Sequence, residues 1–134
     1  MTEVENLIIG GFELTMTIQK LEYWRSVCSA KIGSKEETPF GPDALVYKVS
    51  GKMFALLRVN SPLSMNVKCD PQEAMIIRES FADVTPGYHM NKKHWNTLML
   101  EANLDDELIK NWIDDSYDLV VASLPKKVRE ALQN

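Results

Sequence analysis

The chain has 134 residues, of which 45% are hydrophobic and 25% are charged, and its formal net charge is −4. This length and balance are typical of a single globular domain and exclude a disordered chain. The sequence contains no run of about 18 apolar residues, and its acidic start lacks the basic segment of a secretory leader. We expect one soluble domain located in the cytoplasm, with no membrane partner.

Cysteine and histidine are too sparse to suggest a cofactor. Cys28 and Cys69 could form neither a disulfide framework nor a zinc site, so the sequence predicts two reduced thiols. The two histidines are His89 and His94, and two imidazoles alone make a poor metal site. We therefore expect no metal and no other cofactor.

The start of the chain predicts an extension followed by one helix. Gly10-Gly11 indicate a hinge, so we assign residues 1–13 to a loose N-terminal extension and residues 14–134 to a single domain. Apolar residues then recur at helical spacing over Leu14–Ser29, which predicts an amphipathic helix. The polar residues 31–38 predict a loop.

Three strands and a second helix are predicted next. Residues 44–49 and 53–60 are rich in β-forming residues and are separated by Ser50-Gly51-Lys52, a pattern typical of a β-hairpin. Residues 65–69 alternate apolar and polar side chains, as in a strand with one solvated face. Asp70-Pro71 predict a helix start, because aspartate caps free backbone amides and proline suits the first helical position.

A second hairpin is predicted after this helix. We expect residues 84–87 to end the helix, since they contain proline and glycine. Strands are then predicted at Tyr88–Met90 and Trp95–Leu100, with Asn91-Lys92-Lys93 as the turn between them.

The end of the chain predicts two helices. A long helix is expected to start within residues 103–106 and to end before Pro125, and a short basic helix at Lys126–Leu132 follows. The apolar stripe of the long helix comprises Leu108, Ile109, Trp112, Ile113, Leu119 and Val120. The predicted order is α-β(3)-α-β(2)-α with a short C-terminal helix. Tight turns between strands favour antiparallel pairing, so the fold class is α+β, with two layers and the helices on one face of the sheet.

The sequence offers no arrangement suited to catalysis. It contains no nucleotide-binding glycine loop, zinc-protease motif or hydrolase nucleophile motif. The carboxylates between Asp105 and Asp118 follow a pattern that predicts the solvated face of a helix. Ser116 and Ser123 have no histidine and aspartate that the sequence places beside them. We therefore expect the protein not to be an enzyme.

Charge is distributed unevenly along the chain. Residues 44–100 carry a net charge of +3, whereas residues 101–118 carry −6. A polyanion would therefore approach the middle of the chain. Within it, residues 86–97 mix aromatic, amide and basic side chains. This stretch is either a wing that contacts a ligand or phosphate, or a plain hairpin with a solvated lysine tip.

Several segments together resemble the MmcQ/YjbR family. They are PFGPDALVYKV at 39–49, GKMFA at 51–55, VKCDP at 67–71, the run from Thr85 to Thr97, and DDSYDLVVASLPKK at 114–127. The match covers residues 15–132 in the family's order and spacing. The resemblance implies an α-β(3)-α-β(2)-α fold similar to the type III secretion chaperones. Family members are often labelled DNA-binding, because their two hairpins look like a pair of wings.

The resemblance and the charge distribution favour a non-enzymatic domain that contacts the phosphates of double-stranded DNA. The predicted contacts from the two hairpin tips and the tail are Lys48, Lys52, Lys92, Lys93, His94, Lys126, Lys127 and Arg129. The alternative is a protein- or small-molecule-binding module that uses the sheet face or a pocket formed by Tyr88, His89, Trp95 and Asn96. DNA binding requires the tips and tail on one face, whereas a module requires a concave apolar cleft. The sequence leaves the oligomeric state open.

Overall fold

A computed structural model describes the backbone of residues 3–60 and 62–133, and the side chains from residue 16 onward within those ranges. The helices are α1 (Glu3–Ser29), α2 (Pro71–Ser80), α3 (Asp106–Ala122) and α4 (Lys126–Gln133). The strands are β1 (Ser34–Glu37), β2 (Ala44–Val49), β3 (Lys52–Arg58), β4 (Ser64–Lys68), β5 (Val84–Pro86) and β6 (Trp95–Met99). Within the described ranges, no helix combines the length and apolar composition needed to cross a membrane.

The strands form one antiparallel sheet in the order β1-β2-β3-β4-β6-β5. The β2–β3 hairpin turns at Ser50 and Gly51, which have positive φ angles of 49° and 81°. Glycine adopts this left-handed region at little cost, which explains the residue type at the second of these positions. The sheet confirms the predicted α+β class and its antiparallel pairing.

The main hydrophobic core lies between the sheet and the helices. Trp24 of α1 and Trp112 of α3 are buried there with Ile109 and Ile113. The ring of Phe81, just after α2, meets the Trp112 ring edge-on at 5.4 Å, a favoured aromatic geometry. The strand residues of this core belong to one face of the sheet, so the helices pack on a single face as predicted.

The predicted helix starts are confirmed. The Asp70 carboxylate accepts hydrogen bonds from the backbone amides of Gln72 and Glu73 at 3.0 and 3.3 Å. Asp105 caps α3 in the same way, accepting from the Glu107 amide at 3.0 Å. Each cap satisfies a backbone donor that the first helical turn leaves free.

Both cysteines are free thiols, as predicted, and both are buried. Burial raises the pKa of the Cys28 thiol to about 12. This side chain therefore stays protonated at neutral pH and packs as a small apolar group.

Helix α1 is longer than predicted. It starts at Glu3 and continues through Gly10 and Gly11, so the predicted hinge is wrong. A glycine in a helix interior costs only about 1 kcal/mol relative to alanine, which does not by itself end a helix. The boundary between the extension and the domain at residues 13 and 14 stays a prediction. Residues 1 and 2 of that extension lie outside the described part of the chain.

The segment predicted as a polar loop contains the edge strand β1. Its composition, SKEE, has no apolar alternation from which a strand could be inferred. The strand forms because Glu36 accepts hydrogen bonds from Tyr47 Oη at 2.6 Å and from the Arg25 guanidinium at 3.0 and 2.9 Å. Tertiary contacts, rather than local propensity, therefore create this element.

Two predictions for the second half of the chain also differ from the structure. The first strand of the second hairpin is β5, and Tyr88–Met90 lie in the connection to β6. The strand ends at Pro86, and the chain then turns, with the Met90 amide donating to the Gly87 carbonyl at 2.9 Å. Leu119, predicted on the buried stripe of α3, is 38% exposed. Ser116 and Val120 face the core instead, and Leu119 points away from it.

Candidate ligand-binding groove

The sheet has a second face that the helices do not cover, which we name the open face. Directly paired residues of antiparallel strands point to the same side, so Ala44 lies beside Arg58 and Val46 beside Leu56 on this face. Ala44, Val46 and Leu56 form a small apolar cluster of their own, with Met53 packed against it. No residue of a described helix takes part in that cluster.

A groove of about 740 Å³ runs over the open face. Its lining comprises Phe40, Asp43, Ala44, Met53, Leu56, Arg58, Asn60, His89 and Met90. The floor comes from β2 and β3, and the remaining residues come from the loop before β2, the end of β3 and the connection before β6. Phe40 is 72% exposed, although a side chain of this kind normally avoids water. The groove therefore presents uncovered apolar surface in a concave site.

The connection between β5 and β6 supplies one wall of the groove, and its shape depends on a close backbone approach. A Cβ atom at Gly87 would lie 2.9 Å from Trp95 Cβ and 3.2 Å from the Trp95 carbonyl oxygen. Any larger residue there would push the connection away from the sheet. The Met90 amide then donates to the Gly87 carbonyl at 2.9 Å, in a tight turn that carries His89.

A helix on the opposite side of the sheet fixes the same connection. Arg78 of α2 donates from Nε to Asn96 Oδ1 at 2.6 Å. Its terminal nitrogen donates to the carbonyl of Trp95 at 3.2 Å and to that of Lys92. The Arg78 guanidinium therefore links α2 to both β6 and the connection between β5 and β6.

The open face carries more basic than acidic side chains. The register places Lys48, Arg58 and Lys68 on it, one from each of three adjacent strands. Lys48 is neutralised by Glu37, with the two charged groups 2.9 Å apart. Arg58 is half-buried, and its guanidinium forms no hydrogen bond or ion pair with any residue that the structure describes. The groove therefore contains one guanidinium whose hydrogen-bond donors have no partner among the described residues.

The predicted phosphate-contacting residues lie toward one end of the sheet. Lys52 begins β3 beside Val49, and its Nζ lies 3.3 Å from Ser123 Oγ, at the end of α3. Helix α4 with Lys126, Lys127 and Arg129 starts three residues later. Strand β3 pairs with β4, and β4 pairs with β6, both antiparallel. Ala55 pairs with Val67 and Lys68 with Trp95, so the start of β3, the end of β4 and the start of β6 lie at one end of the sheet. The hairpin turn and the connection with Lys92, Lys93 and His94 therefore leave the sheet at the same end.

Several of these lysines already have intramolecular partners. Lys48 is paired with Glu37, as described above, and Lys126 lies 3.9 Å from Glu130. The Lys92 ammonium lies 5.1 Å from the centre of the Tyr88 ring. Such contacts are weak at exposed sites, so they reduce the availability of a lysine without abolishing it.

The four residues of the predicted pocket do not lie together. His89 lines the groove, whereas Tyr88 is 63% exposed beside Lys92. Trp95 is half-buried on the open face and packs against Gly87. Asn96 is buried on the opposite face, where it accepts from Arg78. Among the residues described, no group of three histidine, cysteine or acidic side chains is placed to hold a metal ion.

A second, acidic groove of about 480 Å³ lies at the same end of the sheet as the lysine-bearing turns. Cys69, Asp70, Glu73, Asp115, Asp118, Leu119 and Ala122 line it. Burial, followed by the nearby charges of Asp118 and Asp114, raises the pKa of the Asp115 carboxyl. Burial also raises the pKa of the Cys69 thiol to about 11, so this thiol is not an activated nucleophile. The cluster repels polyanions from this side of the molecule.

The residues that shape the groove were mostly missed by sequence reasoning. The sequence predicted only a loop around Phe40 and a strand around Met53, and Arg58 is a polar residue near the end of that strand. The signal that could have revealed them is the lack of apolar–polar alternation in β2 and β3, where consecutive residues are apolar and buried on both faces. A strand that is apolar on both faces needs a cover on each side, and the helices cover only one.

The open antiparallel sheet with helices on one face defines a two-layer α+β domain. The family model described as YjbR matches residues 29–119. The chain belongs to the YjbR family. The uncharacterized protein YjbR of Escherichia coli (strain K12) is 33% identical over 118 residues, which are 87% of this chain and 98% of that protein. The uncharacterized protein YbdF of Escherichia coli O157:H7 is 38% identical over 90 residues, 66% of this chain and 74% of that protein.

Solved structures share the fold. The crystal structure of Deinococcus radiodurans protein DR2400 has a TM-score of 0.79 at 34% identity, covering 84% of this chain and 87% of that chain. A crystal structure of a Pseudomonas syringae protein has a TM-score of 0.66 at 27% identity, covering 73% of this chain and 96% of that chain. The predicted family and the predicted order of elements are therefore confirmed, with β1 as one additional edge strand.

Proposed function

We propose that this protein is a non-enzymatic, small-molecule-binding domain whose site is the groove on the open face. The observation that carries the proposal is the concave apolar surface between Phe40, Leu56 and Met90, which no helix of the described chain covers. Ligand sites are typically clefts of about 300–1,000 Å³ with a mainly apolar lining and a few polar groups. The groove has this size and composition.

The expected affinity for a simple apolar probe is modest. N-phenyl-1-naphthylamine is neutral and fluoresces when it leaves water, and it has about 17 non-hydrogen atoms. At about 0.3 kcal/mol per atom it would gain about 5 kcal/mol, which corresponds to a Kd of about 0.2 mM. A cognate ligand that also satisfied the polar groups of the groove would bind more tightly.

A fluorescence titration with this probe tests the proposal. Phe40→Ser removes an exposed aromatic wall, and an aromatic contact contributes about 1 kcal/mol, so we expect roughly fivefold weaker binding. Ile32→Ser is the matched control, because Ile32 is 65% exposed but does not line the groove. Loss of saturable binding in Ile32→Ser, or equal affinity of Phe40→Ser and the unaltered protein, would contradict the groove as the site.

DNA binding is the second candidate, and one observation favours it. The turns with Lys52 and with Lys92 and Lys93 leave the sheet at one end, and the basic helix α4 starts beside the first of them. This placement would let several cations contact one backbone, which positions a protein on DNA without reading bases. The pairing of Lys48 with Glu37 and the acidic groove at this end weigh against tight binding. We therefore rank this function below ligand binding.

A protein partner is the other form of the predicted binding module, and it stays a prediction. A protein that covered the open face would compete with a small molecule for the same groove. Displacement of the fluorescent probe by a candidate partner would therefore report that role directly.

A further inference from the structure

We infer that the groove on the open face selects an organic anion, with an apolar body lying over Leu56 and Met53 and an oxyanion headgroup held by Arg58. The inference rests on the proposed function, since it specifies the ligand class of the same groove. The headgroup chemistry is a carboxylate or a phosphate monoester, because both accept two parallel hydrogen bonds from one guanidinium.

The state of Arg58 differs from that of two other arginines in the domain. Arg25 forms ion pairs with Glu22 and Glu36 at 2.8 and 2.9 Å, and Arg78 donates to Asn96 and to two carbonyls. Arg58 is half-buried at the end of β3 without such a partner among the described residues. A partly desolvated guanidinium gains most from an anionic partner that brings its own apolar cover.

The neighbours of Arg58 fix where the headgroup would lie. Arg58 is paired across the sheet with Ala44 and Ser64, and both are buried. On the Ala44 side, apolar surface begins directly beside Arg58 and continues along β2 and β3 to Leu56 and Met53. A ligand with a charge at one end and an apolar body at the other fits this arrangement, in which apolar surface follows the guanidinium.

Charge around the groove favours an anion as well. Asp43 is the one carboxylate in the lining, and it does not approach within ion-pair distance of Arg58. His89 on the opposite wall adds an imidazole that can donate a hydrogen bond. Lys68, on the same face, adds positive potential that attracts anions over the distance of a Debye length.

Equilibrium dialysis with three ligands of one apolar body tests the inference. They are 1-naphthalenemethanol, which is neutral, 1-naphthoate and 1-naphthyl phosphate. Dialysis measures each ligand directly, so no result depends on competition with another probe. We expect the better of the two anions to bind about tenfold more tightly than the alcohol, as a charge-assisted bidentate contact would provide. The comparison of the two anions distinguishes a carboxylate from a phosphate ligand.

Three variants assign the effect to its residue. Arg58→Gln should bring anion and alcohol to similar affinity, and Arg58→Lys should restore part of the preference because it keeps the charge without the planar fork. Arg129→Gln removes a cation outside the groove and should change nothing. Thermal melts confirm that each variant is folded.

The outcomes separate the two proposals. If the alcohol binds in the groove but the anions bind no better, the ligand-binding function stands and the anion inference is overturned. If an anion preference persists in Arg58→Gln, the assignment to Arg58 is overturned. If none of the three ligands binds while the protein is folded, both the inference and the proposed function fail.

Discussion

Arg78 Nε donates a hydrogen bond to Asn96 Oδ1 over 2.6 Å, and this contact links α2 to β6 across the helix-covered side of the sheet. The same guanidinium donates to the carbonyl of Lys92, in the connection that carries His89 and Met90. The wall of the groove is therefore positioned by a residue that does not itself line the groove. A change at this residue should alter binding without removing any contact to the ligand.

We predict that Arg78→Lys weakens binding of N-phenyl-1-naphthylamine and lowers the free energy of unfolding by about 1–3 kcal/mol, because it leaves buried acceptors without their donors. Urea denaturation and the fluorescence titration measure the two effects. Arg129→Lys serves as the control, since the Arg129 side chain forms no ion pair with a described residue and its one hydrogen bond, to the Pro125 carbonyl, comes from the backbone amide. If Arg78→Lys matched that control in both measurements, the positioning role would be wrong.

The parts of the fold that the sequence predicted are those with short-range causes. Hairpin turns, capped helix starts and the β-forming composition of β2 and β3 depend on residues within a few positions of one another. The edge strand β1 was missed because Glu36 becomes part of a strand only through Arg25 and Tyr47, eleven residues away on either side.

The candidate site was less predictable for the same reason. Arg58 is identified as a site residue because no described residue pairs with its guanidinium. Which residues surround Arg58 depends on the register of β2, β3 and β4. The connection that carries His89 is held by Arg78 through the Lys92 carbonyl, and no local pattern links Arg78 to that connection. Local sequence patterns indicate the periodicity of helices and strands, but they do not indicate which distant residues contact one another.

Ser116 provides a test of the packing between α3 and the sheet. Its hydroxyl is buried, donates to the Phe54 carbonyl at 2.6 Å and accepts from the Lys68 amide at 2.8 Å. Ser116→Ala should lower the free energy of unfolding by about 1–3 kcal/mol, since two buried backbone groups lose their partner. Ser80→Ala, at an exposed helix end, should change it by no more than about 0.5 kcal/mol. Equal effects of the two substitutions would mean that water replaces the Ser116 hydroxyl.

The Glu36 cluster predicts a dependence of stability on pH. Hydrogen bonds from Arg25 hold the pKa of the Glu36 carboxyl below its ordinary value, with a further contribution from Tyr47. A group with a lowered pKa in the folded state stabilises the protein above its unfolded pKa, about 4.3, and this stabilisation is lost as pH falls through the folded pKa. The stability advantage over Glu36→Gln should thus be full near neutral pH and shrink in acid.

Urea midpoints between neutral pH and about pH 3 measure this difference. Glu79→Gln is the matched control, because Glu79 is exposed and forms no ion pair with a described residue. An advantage over Glu36→Gln that stayed constant across this range would show that the carboxylate charge contributes nothing.

The last prediction tests DNA binding through its dependence on salt. If the lysine-bearing turns contact phosphates, each lysine contributes about 0.9 to the slope of log affinity against log salt, so replacing Lys92 and Lys93 together should reduce that slope by roughly 2. We expect a Kd of only about 10⁻⁴ to 10⁻⁶ M, as for non-specific binders. Fluorescence titrations with duplex DNA at two salt concentrations measure both quantities. The control replaces Lys20 and Lys110, which lie near Leu100 beyond the end of β6, at the opposite end of the sheet, and should leave the slope unchanged. Absence of binding at low salt, or an unchanged slope in the Lys92 and Lys93 double variant, would exclude these turns as a phosphate contact and leave the groove as the functional site.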